Sequence, residues 1–346
     1  MKLLKKITKW LLLFLASCIL LMYIFDVYYL LRAVRTIYFK GYTTAFLEDY
    51  KEFPNRLLKK GIAQPWALCK DYNSVIATDK LSQTHKELQS IAYLIIKNDS
   101  IWHESYFDGF NLNSKTNSFS MAKSVVSAAL GKAIMEGKIK SLDQKVVDFF
   151  PELKGTYAKE VSVGDLSSMA SGLSWDERYY SPFSIVTRAY FDDDLKKVIL
   201  GLDVNEKPGK SFKYLSGATQ LLAMCIEKAT GEYLSDYVSK SFWQPMGAEN
   251  DALWQLDHEP DGVEKAYCCI ASNARDFARF GKLYKQHGKW NGKQILDSTF
   301  IAKSLQPRFK YSPEYGYGWW LHEIKGKKLF YMRGHLGQFV IVIPQD

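Results

Sequence analysis

Ser120 and Lys123 are the two residues whose types and spacing most directly suggest chemistry. This Ser-x-x-Lys spacing occurs once in the chain, and it places both side chains on one face if the segment is helical. A helix start also offers free backbone N–H groups and positive potential near the serine oxygen. Burial would lower the pKa of the lysine until its amine can act as a base. A serine, a desolvated lysine and a backbone donor are what acyl transfer through a covalent intermediate requires.

The stretch 117–137 carries these two residues and has the pattern of a helix. Its apolar residues recur every three or four positions and form one stripe. Ser118 or Ser120 is a candidate N-terminal cap, and Gly137 is a candidate C-terminal stop. A capped amphipathic helix with an ordinary surface lysine would show the same pattern. The catalytic interpretation therefore depends on companion residues elsewhere.

Two other stretches supply a proton shuttle for a leaving group and a second oxyanion donor, which acyl transfer also needs. Tyr214 lies in a predicted loop directly before a second predicted helix, and loops on a rigid scaffold commonly present functional groups. His335 lies between Gly334 and Gly337 at the start of a predicted strand, and glycine lets a ligand approach the backbone closely. A packed aromatic and a simple turn are the alternative interpretations.

The elements that must position these residues are predicted as strands at both ends of a domain with helices between them. A short helix at 79–89 precedes a β-hairpin, because strand-like runs at 91–96 and 101–107 flank a polar turn. Further helices are expected at 192–200, 218–230, 233–242 and 273–286, and further strands at 317–322, 328–332 and 338–343. This order predicts an α+β fold in which strands from both ends share one antiparallel sheet, with a helical region inserted.

The composition is that of a folded protein and excludes several classes. The chain has 346 residues, of which 47% are hydrophobic, so a substantial core is expected. Four lysines among the first nine residues supply part of the net charge of +9, and no basic run interleaved with aromatics occurs elsewhere. Nucleic acid is therefore not an expected partner.

The six histidines are scattered, so no metal or other cofactor is predicted. Five cysteines do not form a disulfide framework, and Cys268-Cys269 is predicted to be a pair of small buried residues.

The N-terminus predicts a membrane anchor. A basic segment at 1–9 precedes a span predicted at 10–31, which is long enough to cross a bilayer if Asp26 lies near an interface. Basic residues before the span favour a cytoplasmic N-terminus in the inner membrane and a periplasmic catalytic domain. A cleaved signal peptide is one alternative, although no small-x-small cleavage site follows. A lipoprotein is another, because Leu15-Ala-Ser-Cys18 matches the lipobox pattern, but the residues after Cys18 are strongly apolar.

The order of the motifs resembles the serine β-lactamase/penicillin-binding-protein superfamily. Ser-x-x-Lys at a helix start, Tyr-x-Ser before a second helix and His-x-Gly at a closing strand are similar to its class C-like branch, which includes D-alanyl-D-alanine peptidases, carboxylesterases and 6-aminohexanoate-dimer hydrolase. Supporting stretches fit the same branch: Glu136–Asp143, Leu166–Leu173, Thr219–Leu222 and Ala274–Gly281. The resemblance covers about residues 80 to 346. It implies a β-lactamase/transpeptidase-like domain at 79–346, joined to the anchor by a juxtamembrane segment at 32–78.

The resemblance also implies roles for the catalytic residues. Ser120 would be the nucleophile and Lys123 its activating base. Tyr214 would protonate the leaving group and then help to activate the deacylating water. A tyrosine of ordinary pKa, about 10, needs a neighbouring cation to stabilise its phenolate, and Lys123 is the expected cation.

The remaining roles concern substrate binding. Backbone N–H groups of Ser120 and Gln338 would form the oxyanion hole. His335-Leu-Gly337 would replace the Lys-Thr-Gly of the family, bordering the substrate and polarising Tyr214. Without that lysine, recognition of a β-lactam carboxylate is not expected.

Other departures from the family pattern concern the substrate pocket and the end of the chain. Ser216 stands where many members have Asn, so one amide contact to substrate is missing. Trp175, with Tyr179 and Tyr180, either walls a pocket or belongs to the core. Members usually continue past the position of Asp346 with another strand and a helix, so a truncated sequence or a differently completed sheet edge is expected.

These observations predict a membrane-anchored serine hydrolase that cleaves an amide or ester bond in a small molecule or peptide. The alternative is a binding or sensor module that keeps the fold without turnover. A Gly-x-Ser-x-Gly hydrolase is excluded because the chain contains no such motif.

Overall fold

The computed structural model describes residues 1–345, and eleven α-helices lie within that range. They are α1 Lys2–Ile24, α2 Tyr29–Thr36, α3 Asp79–Glu87, α4 Ala122–Met135, α5 Val163–Ser167, α6 Ile185–Phe191, α7 Leu195–Leu200, α8 Ser216–Thr230, α9 Leu234–Val238, α10 Ala274–Lys285 and α11 Ser298–Ser304. Short 3₁₀ turns cover Tyr38–Lys40, Asp49–Glu52, Phe119–Met121 and Val146–Asp148, and a π-helical turn covers Ser239–Trp243. The helices predicted from periodicity are present, with the 233–242 segment divided between α9 and the π turn.

Twelve strands form four sheets within the same residues. They are β1 Asn55–Leu58, β2 Ala67–Leu68, β3 Ala92–Lys97, β4 Ser100–Tyr106, β5 Thr116–Asn117, β6 Ala252–Gln255, β7 Ile270–Ser272, β8 Lys289–Trp290, β9 Lys293–Gln294, β10 Trp320–Ile324, β11 Lys327–Arg333 and β12 Phe339–Val342. The sheet orders are β1-β6-β7-β5, β10-β11-β12, β2-β4-β3 and β8-β9. The predicted hairpin is confirmed: β3 and β4 pair antiparallel through a turn whose Asn98 and Asp99 adopt the left-handed conformation.

The expectation of one sheet shared by both ends of the domain was wrong. Within residues 1–345, the N-terminal hairpin belongs to a three-stranded sheet with β2, and β10 to β12 form a separate one. Strands β3 and β12 both contact α10. Periodicity locates strands but not their partners, because pairing depends on register and long-range packing.

Helix α4 is central and buried on nearly every side. Eleven of its fourteen residues are buried, from Ala122 to Ala133. Its serines satisfy their hydroxyls inside the core, since Ser124 donates to the carbonyl of Gly318 and Ser127 to that of Tyr317. At Gly131, a Cβ would lie 2.4 Å from the ring of Phe300. The small residues of α4 therefore allow close packing, chiefly against α8.

The N-terminal helix stands apart from this core. In residues 1–345 one helix, α1, is long and apolar enough to cross a membrane, and none of its residues is buried. The predicted span 10–31 includes most of α1 and the start of α2. Helix α2 instead packs on α6, with Tyr29 and Ala33 buried. Asp26, between the two helices, forms an ion pair with Arg188 of α6.

Candidate active site

Ser120 lies on a 3₁₀ turn, Phe119–Met121, that leads directly into α4. Phe119 adopts a left-handed φ of 44°, a conformation that a non-glycine residue holds only when its surroundings fix it. Neither Ser118 nor Ser120 caps the helix with its side chain, so that expectation was wrong. The Ser118 hydroxyl instead accepts from the N–H of Ile270, which ties the turn to β7.

Lys123 points back at Ser120 from the first turn of α4. Its Nζ donates to the Ser120 Oγ at 2.8 Å and to the Tyr267 carbonyl at 2.8 Å. The residue is 3% exposed. Burial lowers the pKa of Lys123 to about 8, against a smaller opposing effect of the Glu177 carboxylate. About a tenth of this amine is therefore neutral at pH 7, which is enough for a base that regenerates on every turnover.

Tyr214 lies in the loop directly before α8, as predicted. Its hydroxyl interacts with the side chain of Ser120, and the Lys123 Nζ lies 5.1 Å from its ring centre. Burial raises the pKa of Tyr214 well above its usual value, and the Ser120 contact only partly offsets this. The expectation that Lys123 stabilises the phenolate of Tyr214 therefore receives no support. The resting tyrosine is a neutral phenol with a proton to donate.

Glu177 was not predicted, and it organises the wall of the site. One of its carboxylate oxygens accepts from the backbone N–H and the hydroxyl of Ser216. The other accepts from the Trp175 indole N–H at 2.6 Å. Glu177 belongs to the same turn-rich stretch as Trp175, but its partner Ser216 lies 39 residues away along the chain. No local pattern links two such positions, so the sequence held no signal for this contact.

The β11–β12 turn supplies the opposite side of the site. Gly334 donates its N–H to the Gln338 carbonyl at 2.8 Å, and Gly337 has a φ of 88° that favours glycine. A Cβ on Gly334 would lie 2.5 Å from the Ser118 carbonyl oxygen. The absence of a side chain at Gly334 therefore lets the turn that carries Gln338 lie against the turn that carries Ser120.

His335 lies in an aromatic setting on this turn. Its ring stacks on Tyr179 at 4.7 Å between centres and meets the edge of Phe119 at 6.2 Å. Burial and the nearby Arg333 lower the pKa of His335 below its usual value of about 6.5. The imidazole is consequently neutral at pH 7 and does not reproduce the cation of a Lys-Thr-Gly motif.

The predicted site residues are brought together in part. Ser120, Lys123 and Tyr214 lie together, because Lys123 donates to the Ser120 Oγ and Tyr214 interacts with the same serine. The aromatic neighbours of Tyr214 are Trp320 and Tyr315, whereas those of His335 are Phe119, Tyr179 and Tyr180. The expectation that His335 polarises Tyr214 therefore receives no support from these contacts.

Trp175, a candidate pocket wall, and Ser216, at the position of a substrate-contacting Asn in the family, are both buried and hydrogen-bonded within the protein. Trp175 is 3% exposed and Ser216 is 2% exposed. Both donate to Glu177. Their direct role in this arrangement is to hold Glu177, and the more exposed residues Tyr179 and Tyr180 lie nearer to solvent.

The carbonyl that holds Lys123 belongs to a rigid segment. Tyr267 precedes Cys268 and Cys269, which are buried, as predicted, and are also joined to each other as a disulfide. The Trp254 indole donates to the Cys268 carbonyl at 3.0 Å. These contacts limit the movement of the Tyr267 carbonyl and thereby of the lysine amine.

Comparison with known proteins identifies the fold that carries this arrangement. A family model described as Beta-lactamase matches residues 77–346. The chain belongs to the beta-lactamase family. This membership confirms the resemblance predicted from the three motifs.

Individual relatives of this beta-lactamase-family chain agree. It is similar to a 6-aminohexanoate-dimer hydrolase of Paenarthrobacter ureafaciens, with 26% identity over 235 residues, 65% of this chain and 59% of that protein. The aligned part is thus less than two thirds of the relative's length. A Bacillus anthracis structure, provisionally named as a 6-aminohexanoate-dimer hydrolase, superposes with a TM-score of 0.69, 24% identity and coverage of 85% of this chain and 84% of that one.

A third relative is the octameric penicillin-binding protein homologue of Pyrococcus abyssi, with a TM-score of 0.61 and 21% identity. It covers 77% of this chain and 70% of its own. The predicted α+β fold of the β-lactamase/penicillin-binding-protein type is confirmed. The family and its named hydrolases support a hydrolase.

Proposed function

We propose that this chain is a serine hydrolase that cleaves an amide or ester bond through an acyl-enzyme on Ser120. The observation that carries the proposal is the 2.8 Å contact between the Lys123 Nζ and the Ser120 Oγ in a buried site. A lysine of lowered pKa next to a serine hydroxyl is a recognised way to activate that nucleophile. Tyr214 adds a neutral acid at the same oxygen.

Ser120, Lys123 and Tyr214 together account for every proton that moves during acylation. The Ser120 Oγ passes its proton to the neutral Lys123 amine and bonds to the substrate carbonyl carbon. The leaving group takes the proton of the Tyr214 hydroxyl as its bond to that carbon breaks. The resulting ammonium of Lys123 then gives its extra proton to the Tyr214 phenolate, which restores the neutral amine and the neutral phenol. Water then attacks the acyl-enzyme and passes a proton to the neutral Lys123 amine, and the Ser120 Oγ takes that proton back as the ester bond breaks.

The oxyanion that forms during both steps needs two backbone donors. We assign these to the N–H groups of Ser120 and Gln338, as the family resemblance implies. Support comes from the packing of Gly334 against Ser118, because it brings the two turns into contact. Removal of one such donor in comparable enzymes costs about 3 kcal/mol of transition-state stabilisation.

The charges around the site favour substrates without a carboxylate beside the scissile bond. His335 is neutral at pH 7 and stacks between aromatic rings, and Glu177 adds a negative charge near Lys123. A small neutral ester, an amide or a peptide with its carboxylate far from the cleaved bond fits this setting. A β-lactam, which carries a carboxylate next to its ring amide, does not.

The proposed location is the inner membrane, with α1 as the anchor and the catalytic domain on the periplasmic side. Helix α1 has the required length and no buried residues. Its lysines favour a cytoplasmic N-terminus. A substrate would then be met outside the cytoplasm.

Reaction with a fluorophosphonate probe tests the nucleophile. The full chain in detergent micelles is expected to label, and Ser120→Ala is expected to abolish labelling. Ser124→Ala is the matched control, because Ser124 lies one turn along the same helix and donates to a carbonyl away from the site. Undiminished labelling of Ser120→Ala would overturn the proposal.

A further inference from the structure

The segment that links the anchor to the domain places one carboxylate in the buried interior of the protein. Asp49 begins the 3₁₀ turn Asp49–Glu52 and is 0% exposed. Its Oδ1 accepts from Asn117 Nδ2 at 2.9 Å and from Gln255 Nε2 at 3.0 Å, and its Oδ2 accepts from the Tyr190 hydroxyl at 2.5 Å. Three side-chain donors converging on one buried acceptor form a satisfied network.

One of these donors leads directly to the nucleophile. Asn117, also fully buried, uses its Oδ1 to accept from the Phe119 N–H at 2.8 Å. Since its Nδ2 is bound to Asp49 and its Oδ1 to Phe119, both ends of the amide have fixed roles. The Asn117 backbone N–H adds a bond to the Leu47 carbonyl at 2.7 Å. The linking segment therefore forms hydrogen bonds with both the side chain and the backbone of Asn117.

The residue that Asn117 holds is the strained one. Phe119 has a left-handed φ of 44° and directly precedes Ser120. A conformation of this kind costs about 1–3 kcal/mol and persists only where the surroundings fix it. The orientation of the Ser120 hydroxyl and of its backbone N–H follows from the backbone at Phe119, because the two residues share a peptide unit.

We propose that Asp49 is a positioning residue for the reaction, which acts through Asn117 to hold the Phe119–Ser120 turn in its reactive conformation. This inference rests on the proposed function of Ser120. It makes the segment beside the membrane anchor a part of the catalytic apparatus rather than a tether. Asp49 lies 71 positions before the nucleophile in the chain.

The same network offers a matched control. Gln255 is buried to the same extent and donates to the same oxygen of Asp49, but it lies on β6 and does not lead to Ser120. Gln255→Met removes one bond from the network while leaving the Asn117 contacts in place. A purely structural role of the network predicts similar effects of Gln255→Met and Asp49→Ala on activity.

Two further variants test whether the contact between Asp49 and Asn117 is what positions Ser120. Asp49→Asn keeps an oxygen that can accept from Asn117, and its new amide N–H₂ can donate to the Tyr190 hydroxyl. Asp49→Asn should therefore rescue what Asp49→Ala loses. Asn117→Ala removes the acceptor of the Phe119 N–H itself, and it reports on the same link if Asp49→Ala does not fold.

The experiment measures the acylation rate constant and the apparent binding constant of an activated ester, using the full chain in detergent and counting only folded protein. Asp49→Ala and Asn117→Ala are expected to lower the rate constant about 10- to 100-fold with little change in binding, because a misplaced nucleophile reacts poorly. Asp49→Asn and Gln255→Met should stay within about threefold of the wild type. The double variant Asp49→Ala/Asn117→Ala should be no slower than Asn117→Ala alone, since one link is broken in both.

Equal rates in wild type, Asp49→Ala and Asn117→Ala would overturn the inference, and so would equal losses in Asp49→Ala and Gln255→Met. A wild type that acylates at Ser120 and a fully active Asp49→Ala variant would remove only this inference. A wild type that is never acylated at Ser120 would remove the proposed function and this inference with it.

Discussion

At the scale of single residues, the chemistry depends on two burial effects that act in opposite directions. Burial lowers the pKa of Lys123 to about 8, which makes its amine available as a base. Burial raises the pKa of Tyr214, which keeps its phenol protonated. The site therefore holds a protonated phenol and a partly neutral amine beside one serine, and acylation uses the phenol as the acid and the amine as the base.

The pH dependence of acylation should report the titration of Lys123. Below pH 8 the neutral amine becomes scarcer, so the rate constant should fall about tenfold per pH unit. The rate should level off above pH 8. Stopped-flow acylation between pH 5.5 and 9.5 measures this, and a flat profile through pH 7 would contradict the assigned role of Lys123.

Glu177 should tune that titration. Its carboxylate raises the pKa of Lys123 against the effect of burial, so Glu177→Gln is expected to move the rising limb of the profile to lower pH. Asp176→Asn is the matched control, because Asp176 carries the same charge, is exposed, and pairs with Arg178. Superimposable profiles for wild type and Glu177→Gln would show that Glu177 does not act on the lysine.

The sequence predicted the residues that a local motif contains and missed those that only the fold brings together. Ser120 and Lys123 are three positions apart, and Tyr214 immediately precedes a helix, so pattern and spacing indicated all three. Glu177 meets Ser216 across 39 positions, and Asp49 meets Asn117 and Gln255 across 68 and 206 positions. Periodicity carries no information about such contacts.

At the scale of elements, the site is assembled where α4, α8 and the β11–β12 turn meet. Helix α4 carries the nucleophile and base, and the loop before α8 carries Tyr214. The loop that holds Glu177 packs on α8 through Trp175, and a Cβ at Gly217 would lie 2.5 Å from the Trp175 ring. The position of this loop therefore depends on a glycine at the start of α8.

Gly217→Ala should displace Trp175 and with it Glu177. Overpacking of this kind costs about 1–3 kcal/mol, more than the roughly 1 kcal/mol that alanine gains over glycine in a helix. We expect a lower unfolding temperature and about a tenfold loss of activity. Gly201→Ala is the control, because Gly201 has an ordinary φ of −76° and its nearest neighbour would be 3.2 Å away. Full activity of Gly217→Ala would contradict the packing argument.

The elements themselves were more predictable than their pairing. The hairpin of β3 and β4 and the helix α10 follow from short-range patterns and lie close to their predicted positions. The division of the terminal strands into two sheets does not follow from any pattern, because it is set by how β3 and β12 pack on α10. After the break between α1 and α2, Tyr29 is buried and donates its hydroxyl to the Pro182 carbonyl, a contact across 153 positions that no local pattern indicates.

At the scale of the whole molecule, the chain contains a helix without buried residues and a core to which residues before position 79 contribute. Helix α1 buries no residue. In contrast, α2 and the segment around Asp49 and Phe53 contribute to the core. Residues of the segment 32–78 are therefore part of the core, although the family match begins at residue 77.

Truncation should distinguish these two parts. A chain lacking residues 1–25 is expected to be released from membranes, because it loses α1 alone, and to keep its unfolding temperature within about 3 °C, as for other changes outside the core. A chain lacking residues 1–53 should lose cooperative unfolding, since it also loses Asp49 and α2. Membrane sedimentation and thermal unfolding measure both effects. Membrane retention of the first truncation, or a stable second one, would contradict this division.

Time-resolved peptide mass spectrometry after mixing the full chain with an activated ester detects whether Ser120 carries the acyl group during turnover. The acyl group should appear on the peptide that contains Ser120 and then decay as product is released. It should appear much more slowly in Lys123→Met. A stable acyl-enzyme would indicate a sensor without turnover. An acyl group on any other residue, or turnover without an acyl-enzyme, would contradict the role of Ser120 as the nucleophile.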